Sequence, residues 1–232
     1  MKLLAFETST EACSVAVWND GRLHERFEIA PRRHAELALP WAQALLDEAG
    51  VARAQLDAVA VGRGPGAFTG VRLGIALAQG IALALDLPML PVSTLAALAM
   101  RASGPGPVLA AIDARMGEVY AGTFERTDGG VCALGAESVS APDAVALPGA
   151  GDGWQGVGTG FAAVDGALQA HLGLRLAGVD AAALPRAGDV ARLAAQAFGR
   201  GELVAPARVE PAYLRDNVAL TLEQQQALRA AR

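Results

Sequence analysis

Three short stretches carry the residues best suited to chemistry. Glu7-Thr8-Ser9-Thr10 sets an acid beside three hydroxyls at the end of an apolar run, and the N–H groups and hydroxyls of such a turn are suited to surround a phosphate. Gly62-Arg-Gly-Pro-Gly-Ala-Phe-Thr-Gly70 strings glycines between an apolar strand and a helix, leaving amides at a helix start free to face an anion. No Gly-Lys-Ser/Thr follows, so this is not a Walker loop. Asp113-Ala-Arg115-Met-Gly-Glu118 mixes charges at the join of two strands, as a polar cluster at a cleft or as a salt-bridged turn. Each stretch also has a plainer reading: a polar turn, or glycines needed only for tight strand-to-helix packing.

Other kinds of chemistry lack their residues. The histidines are His24, His34 and His171, with no two of them four apart, so no helix presents paired imidazoles to a metal. There is no Gly-x-Ser-x-Gly elbow, and neither Cys13 nor Cys132 has a histidine close in sequence. No catalytic residue and no metal ligand is therefore assigned. Two distant cysteines suggest no disulfide framework and fit a reducing compartment.

The elements that position these stretches follow from periodicity. Leu3–Glu7, Cys13–Trp18 and Leu23–Ile29 read as strands, with Asn19-Asp20-Gly21 as a hairpin turn. His34–Ala49 has helical spacing through Leu37, Trp41 and Leu45, stops at Gly50 and is kinked by Pro40. A strand at Asp57–Val61, a helix from Thr69 to Leu85, a strand at Pro88–Val92 and a helix from Ser93 to Ala102 follow. Three strands, then helix, strand, helix, strand, helix predict a ribonuclease-H-like α/β lobe.

Leu3–Glu7 aligns on Leu109–Asp113 at an offset of 106 residues, and Val15–Trp18 on Ala121–Phe124. An acid ends the first strand of both copies, which predicts a structural repeat. Residues 1–104 are expected to form the first lobe, and 105–232 a smaller second lobe with a tail; 187–199 and 221–231 read as helices.

The 232 residues are 53% hydrophobic and 19% charged, with a mean hydropathy of +0.31. These values describe a folded, soluble protein rather than a disordered one. The net charge of −5, from 19 basic and 24 acidic residues, argues against gripping nucleic acid unaided. The opening Met-Lys-Leu-Leu-Ala-Phe-Glu lacks a signal-peptide core, and Arg72 and Gln79 interrupt the most apolar stretch, Val71–Leu85, so neither export nor a membrane span is expected.

The helix after the glycine loop is apolar nearly all round. Gly70, Gly74, Ala78 and Ala82 form a small-residue stripe beside Leu73, Leu77, Ile81 and Leu85. A helix without a polar face must be covered on both sides. Its own sheet supplies one cover; the other is either the chain's own packing, through the Pro40-kinked helix, or, as expected here, a partner chain meeting also Leu37, Trp41 and Leu45 of that helix.

Leu3–Ala16, Gly62–Gly74 and Ala111–Tyr120, with Val157-Gly-Thr-Gly-Phe161 further on, resemble the TsaB (YeaZ) family. The resemblance covers residues 1–124 strongly and the remainder loosely. It implies a two-lobed actin-like ATPase fold and a cytoplasmic, non-catalytic role in making threonylcarbamoyladenosine in tRNA. It also implies docking of the paralogue TsaD, or of a second copy, through the first two helices, with the ATPase TsaE joining and tRNA met only through the complex. A vestigial nucleotide site would use Glu7, Thr8, Ser9, Asp113, Gly158, Thr159 and Gly160, with ATP or ADP at a shared interface and no cofactor required by this chain. Glu7 stands where the family more usually has Asp, and Val92–Leu98 lacks the paired histidines of TsaD-type catalysts. The alternatives are an ATP-dependent phosphotransferase of the same superfamily and, further off, a peptidase.

Overall fold

A computed structural model describes residues 1–215. The first sheet opens with β1 (Lys2–Glu7), β2 (Ala12–Asn19) and β3 (Arg22–Ile29) as an antiparallel meander. Asp20 and Gly21 have φ of 48° and 93° at the β2–β3 hairpin, the left-handed pair that a two-residue turn requires. Next come α1 (His34–Ala49), β4 (Ala58–Gly62), α2 (Phe68–Ala84), β5 (Met89–Val92) and α3 (Thr94–Ala99). Gly50 ends α1 at φ 63°, and Pro40 lies inside that helix. Ser93 caps α3 by accepting the Ala96 N–H at 3.1 Å.

The second sheet contains β6 (Gly106–Arg115), β7 (Glu118–Thr127), β8 (Gly130–Ala133), β9 (Ser138–Ser140), β10 (Trp154–Val157) and β11 (Leu176–Asp180), with α4 (Ala167–Leu172) between the last two strands. The strand orders are β3-β2-β1-β4-β5 and β11-β10-β6-β7-β8. Read from the opposite edge, the second order repeats the first, with the same parallel pairs at the same places. The offset of 106 residues is thus a true structural repeat. The reduction of the second lobe lies in its helices: six-residue α4 stands where seventeen-residue α2 stands in the first.

Alternation along β1 builds two cores. Leu4 and Phe6 face α1 and α2 together with Val15, Val59 and Val61. Leu3 and Ala5 point the other way, onto Ala187, Val190, Ala191 and Ala194 of α5 (Ala187–Gly199). The second sheet packs Val108, Ala110 and Phe124 on Leu95 and Leu98 of α3, and Leu109 and Ala111 on Phe161 and Leu168. Such alternation is what a sheet covered on both faces requires.

Two expectations are corrected here. Residues 105–232 do not form one unit, because α5 crosses back to close the first sheet and Val204 pairs with Met89 of β5. The third helix is also shorter than expected, ending at Ala99. Arg101 and Asp189, 3.5 Å apart, join the end of α3 to α5. The expected helix at 221–231 lies outside the described residues.

Candidate partner face and interlobe cleft

The glycine segment packs against the β1–β2 turn. A Cβ on Gly62 would overlap the Glu7 carboxylate, one on Gly66 the Ser9 carbonyl, and one on Gly70 the Thr8 carbonyl. On Gly74 it would stand 2.6 Å from Thr8 Oγ1. These glycines serve close approach, the plainer of the two readings open from the residues. Thr8 Oγ1 donates to the Gly70 carbonyl at 2.8 Å.

Glu7 is buried at the centre of this packing. Its Oε1 accepts the Ser9 N–H at 2.8 Å and the Ser9 hydroxyl, and its Oε2 accepts the Thr94 hydroxyl at 3.1 Å. Thr94 Oγ1 also accepts the Gly64 N–H at 3.2 Å. Burial pushes the Glu7 carboxyl above its ordinary range, and the Ser9 and Thr94 hydrogen bonds oppose that rise. The sequence does not single out Thr94, because a buried threonine at a helix start leaves no periodic signal. His34 is buried and its Nε2 donates to the carbonyls of Thr10 and Ala12 at 3.0 and 3.1 Å, pinning the same turn. Cys13 is buried in the core, and burial pushes its thiol up to about 11.

A cleft of about 1400 Å³ lies between the lobes at the carboxyl ends of β1 and β6, where open α/β sheets hold ligands. Ser9, Asp113 and Thr159 line it; Glu7, Thr8, Gly158 and Gly160 do not. The structure therefore separates the expected nucleotide residues into wall and foundation. Thr8 and Glu7 are committed to internal bonds. Gly158 and Gly160 lie so close to Ala111 that a Cβ on Gly160 would stand 2.7 Å from the Ala111 Cβ. Thr159 Oγ1 accepts the Asp113 N–H at 3.2 Å. Asp113 accepts the Arg115 N–H at 2.8 Å and pairs with its guanidinium at 2.9 Å, the salt-bridged form of that turn. Among the described residues no group of three or more His, Cys, Asp or Glu is placed to hold a metal, and no helix is long and apolar enough to cross a membrane.

The expected partner face needs correction in four positions. Gly70, Gly74 and Ala78 face the chain's own sheet, and Leu45 is 1% exposed in the first core. The small-residue stripe is consumed by the β1–β2 turn and β4. Leu37, Trp41, Leu73, Leu77 and Ile81 stay only half-buried. Beside them lie exposed Pro40, Ala76, Gly80, Leu83 and Ala84, with Leu83 63% exposed. Ala76, Gly80 and Ala84 make a second small-residue stripe, this one facing outward, and a Cβ on Gly80 would meet nothing within 4 Å. A further side of α2 is covered by the chain itself: Gln79 Nε2 donates to the carbonyls of Pro206 and Val209 at 2.8 and 3.2 Å.

Residues 17–222 match the family model described as TsaD, tRNA N6-adenosine threonylcarbamoyltransferase. The chain is 45% identical over 226 residues to the tRNA threonylcarbamoyladenosine biosynthesis protein TsaB of Escherichia coli K12, covering 94% of this chain and 96% of that one. It is 38% identical to the TsaB protein of Haemophilus influenzae, covering 94% and 95%. Among solved structures, YeaZ from Pseudomonas aeruginosa superposes with a TM-score of 0.85 at 47% identity, covering 92% of this chain and 99% of that chain. With the repeated five-strand order and the glycine segment seated on the β1–β2 turn, these likenesses have one meaning: the chain belongs to the TsaB (YeaZ) family and has its two-lobed actin-like fold.

Proposed function

We propose that the chain acts in tRNA threonylcarbamoyladenosine biosynthesis as a non-catalytic scaffold that docks TsaD through the outer face of α1 and α2. The relatives named for that process support the role. The observation that carries the docking assignment is the apolar strip left uncovered on two adjacent helices: Leu37 and Trp41 on α1, with Leu73, Leu77 and Ile81 around exposed Ala76 and Gly80 on α2. Contiguous apolar surface of this kind marks protein interfaces, and small residues at its centre let a second helix approach closely.

A non-catalytic role is supported by the spending of the turn's functional groups. The Glu7, Thr8, Ser9 and Thr94 side chains hold one another or the backbone, so an incoming phosphate would have to displace bonds already made. In this reading TsaE joins the pair, tRNA is met only through the assembled complex, the location is cytoplasmic, and a second copy occupies the face when TsaD is absent. The test is reconstitution: the chain, TsaD, TsaE and a threonylcarbamoyl-AMP source are mixed with tRNA, and modification is measured with each component omitted. Modification lost without the chain, together with no turnover by the chain alone, is the expected result. Modification by the chain without TsaD would overturn the scaffold role.

A further inference from the structure

After α5 the chain runs back along α2 and then leaves the first lobe. Val204 exchanges two backbone hydrogen bonds with Met89, at 2.8 and 3.0 Å. Val209 is buried in the first core. The Ala212 N–H then donates to the Arg63 carbonyl at 2.8 Å, and the Tyr213 hydroxyl accepts from Arg72 at 2.7 Å. The Arg72 guanidinium is stacked over Phe68, 3.3 Å from its ring centroid, and stands 5.1 Å from that of Tyr213. Two residues later Arg215 has crossed to the other lobe, where it donates to the Ala114 carbonyl at 3.2 Å and pairs with Glu118. Pro211–Arg215 line the interlobe cleft.

We propose that residues 211–215 are a latch across the mouth of the cleft, hinged on α2 by Arg72 and caught on the β6–β7 turn by the Arg215–Glu118 pair. The lobes are also joined by the chain passages near 100–105 and 181–186, by α3 packed on β6 and β7, by the α3–α5 packing, and by the Ser93–Glu137 and Gln196–Gly129 hydrogen bonds. The latch is a further connection, formed by the chain after α5. Its groups suit a catch that opens. Tyr213 is 59% exposed, Glu118 keeps 37% of its side-chain surface, and partly exposed pairs of this kind contribute little and weaken with salt. Low local stability is what segments that open in function have in common. Any partner that takes residues 211–215 onto its own surface would thereby uncover the cleft.

The experiment places a reporter under the catch. Ala114, buried in the cleft wall, is changed to Cys in a Cys132→Ser background, where the remaining Cys13 is buried, and the rate of maleimide labelling is followed. Arg215→Glu should speed labelling about threefold to fivefold, because the pair is lost and two carboxylates then face each other across the catch. The double variant Arg215→Glu with Glu118→Arg should return it to the slow rate, and rising salt should speed the parent. On chains without the reporter, hydrogen exchange in segments 9–11 and 66–70 should follow the same order. Labelling and exchange unchanged in a folded Arg215→Glu chain would overturn the latch, and so would a charge swap that fails to restore protection.

Discussion

Thr8 Oγ1 donates to the Gly70 carbonyl at 2.8 Å, and this single bond fixes which side of α2 belongs to the protein itself. The helix backbone can come so near only because position 70 has no side chain. Gly74 repeats the arrangement one turn on, so the whole 70–74–78–82 stripe is turned to the sheet. What remains outward is the strip through Leu73, Ala76, Leu77 and Gly80.

Gly74→Ala should therefore destabilise the fold by roughly 1–3 kcal/mol, the usual cost of overpacking, since the added Cβ meets Thr8 Oγ1 at 2.6 Å. Gly80→Ala should stabilise it by about 0.5–1 kcal/mol, because the same methyl enters open space on a helix. Urea denaturation of both variants measures the contrast. Equal effects would mean that the helix is rotated from the orientation described.

Thr94→Val should cost about 1–3 kcal/mol, the range for a buried group left without its hydrogen bond. The valine keeps the shape but removes the hydroxyl that serves Glu7 and the Gly64 N–H. The same denaturation measurement reads it.

Burial holds the Glu7 carboxyl above its ordinary value of 4.5. A raised native pKa means that the folded chain binds the proton more firmly than the unfolded chain. The contribution is thus full below the ordinary value and is lost as pH rises from there through the raised value. Glu7→Gln removes that titration, so wild type should lose stability relative to the variant as pH rises above the ordinary value of 4.5. Glu137 and Asp189, also raised by burial, titrate in both chains and cancel in the difference. A pH-independent difference in denaturation midpoints would contradict the burial described for Glu7.

Much of the fold was legible because periodicity and breakers agree at the ends of elements. His34–Ala49 and Ala187–Gly199 match the helices read from spacing, and the Leu109–Asp113 echo of Leu3–Glu7 marks the second sheet. Periodicity does not say which neighbour a face meets. Helix α2 carries two stripes of small residues, 70/74/78/82 and 76/80/84, equal in pattern, and only the approach of Thr8 decides between them. For the same reason α5 could not be assigned to the first sheet from its own spacing. The segment from Val204 to Arg215 has no repeating pattern, and its path depends on single contacts to Met89, Gln79, Arg72 and Glu118.

The docking assignment is tested most directly by the affinity of TsaD for a Gly80→Glu chain, measured by titration calorimetry beside wild type. Position 80 is exposed, with open space at its Cβ, so the variant should fold with an unchanged spectrum and melting profile apart from a few tenths of a kcal/mol. Its affinity for TsaD should fall at least about tenfold, because a charge would be left unpaired in an apolar contact. Full affinity in the folded Gly80→Glu chain would contradict the assignment of this face to the partner.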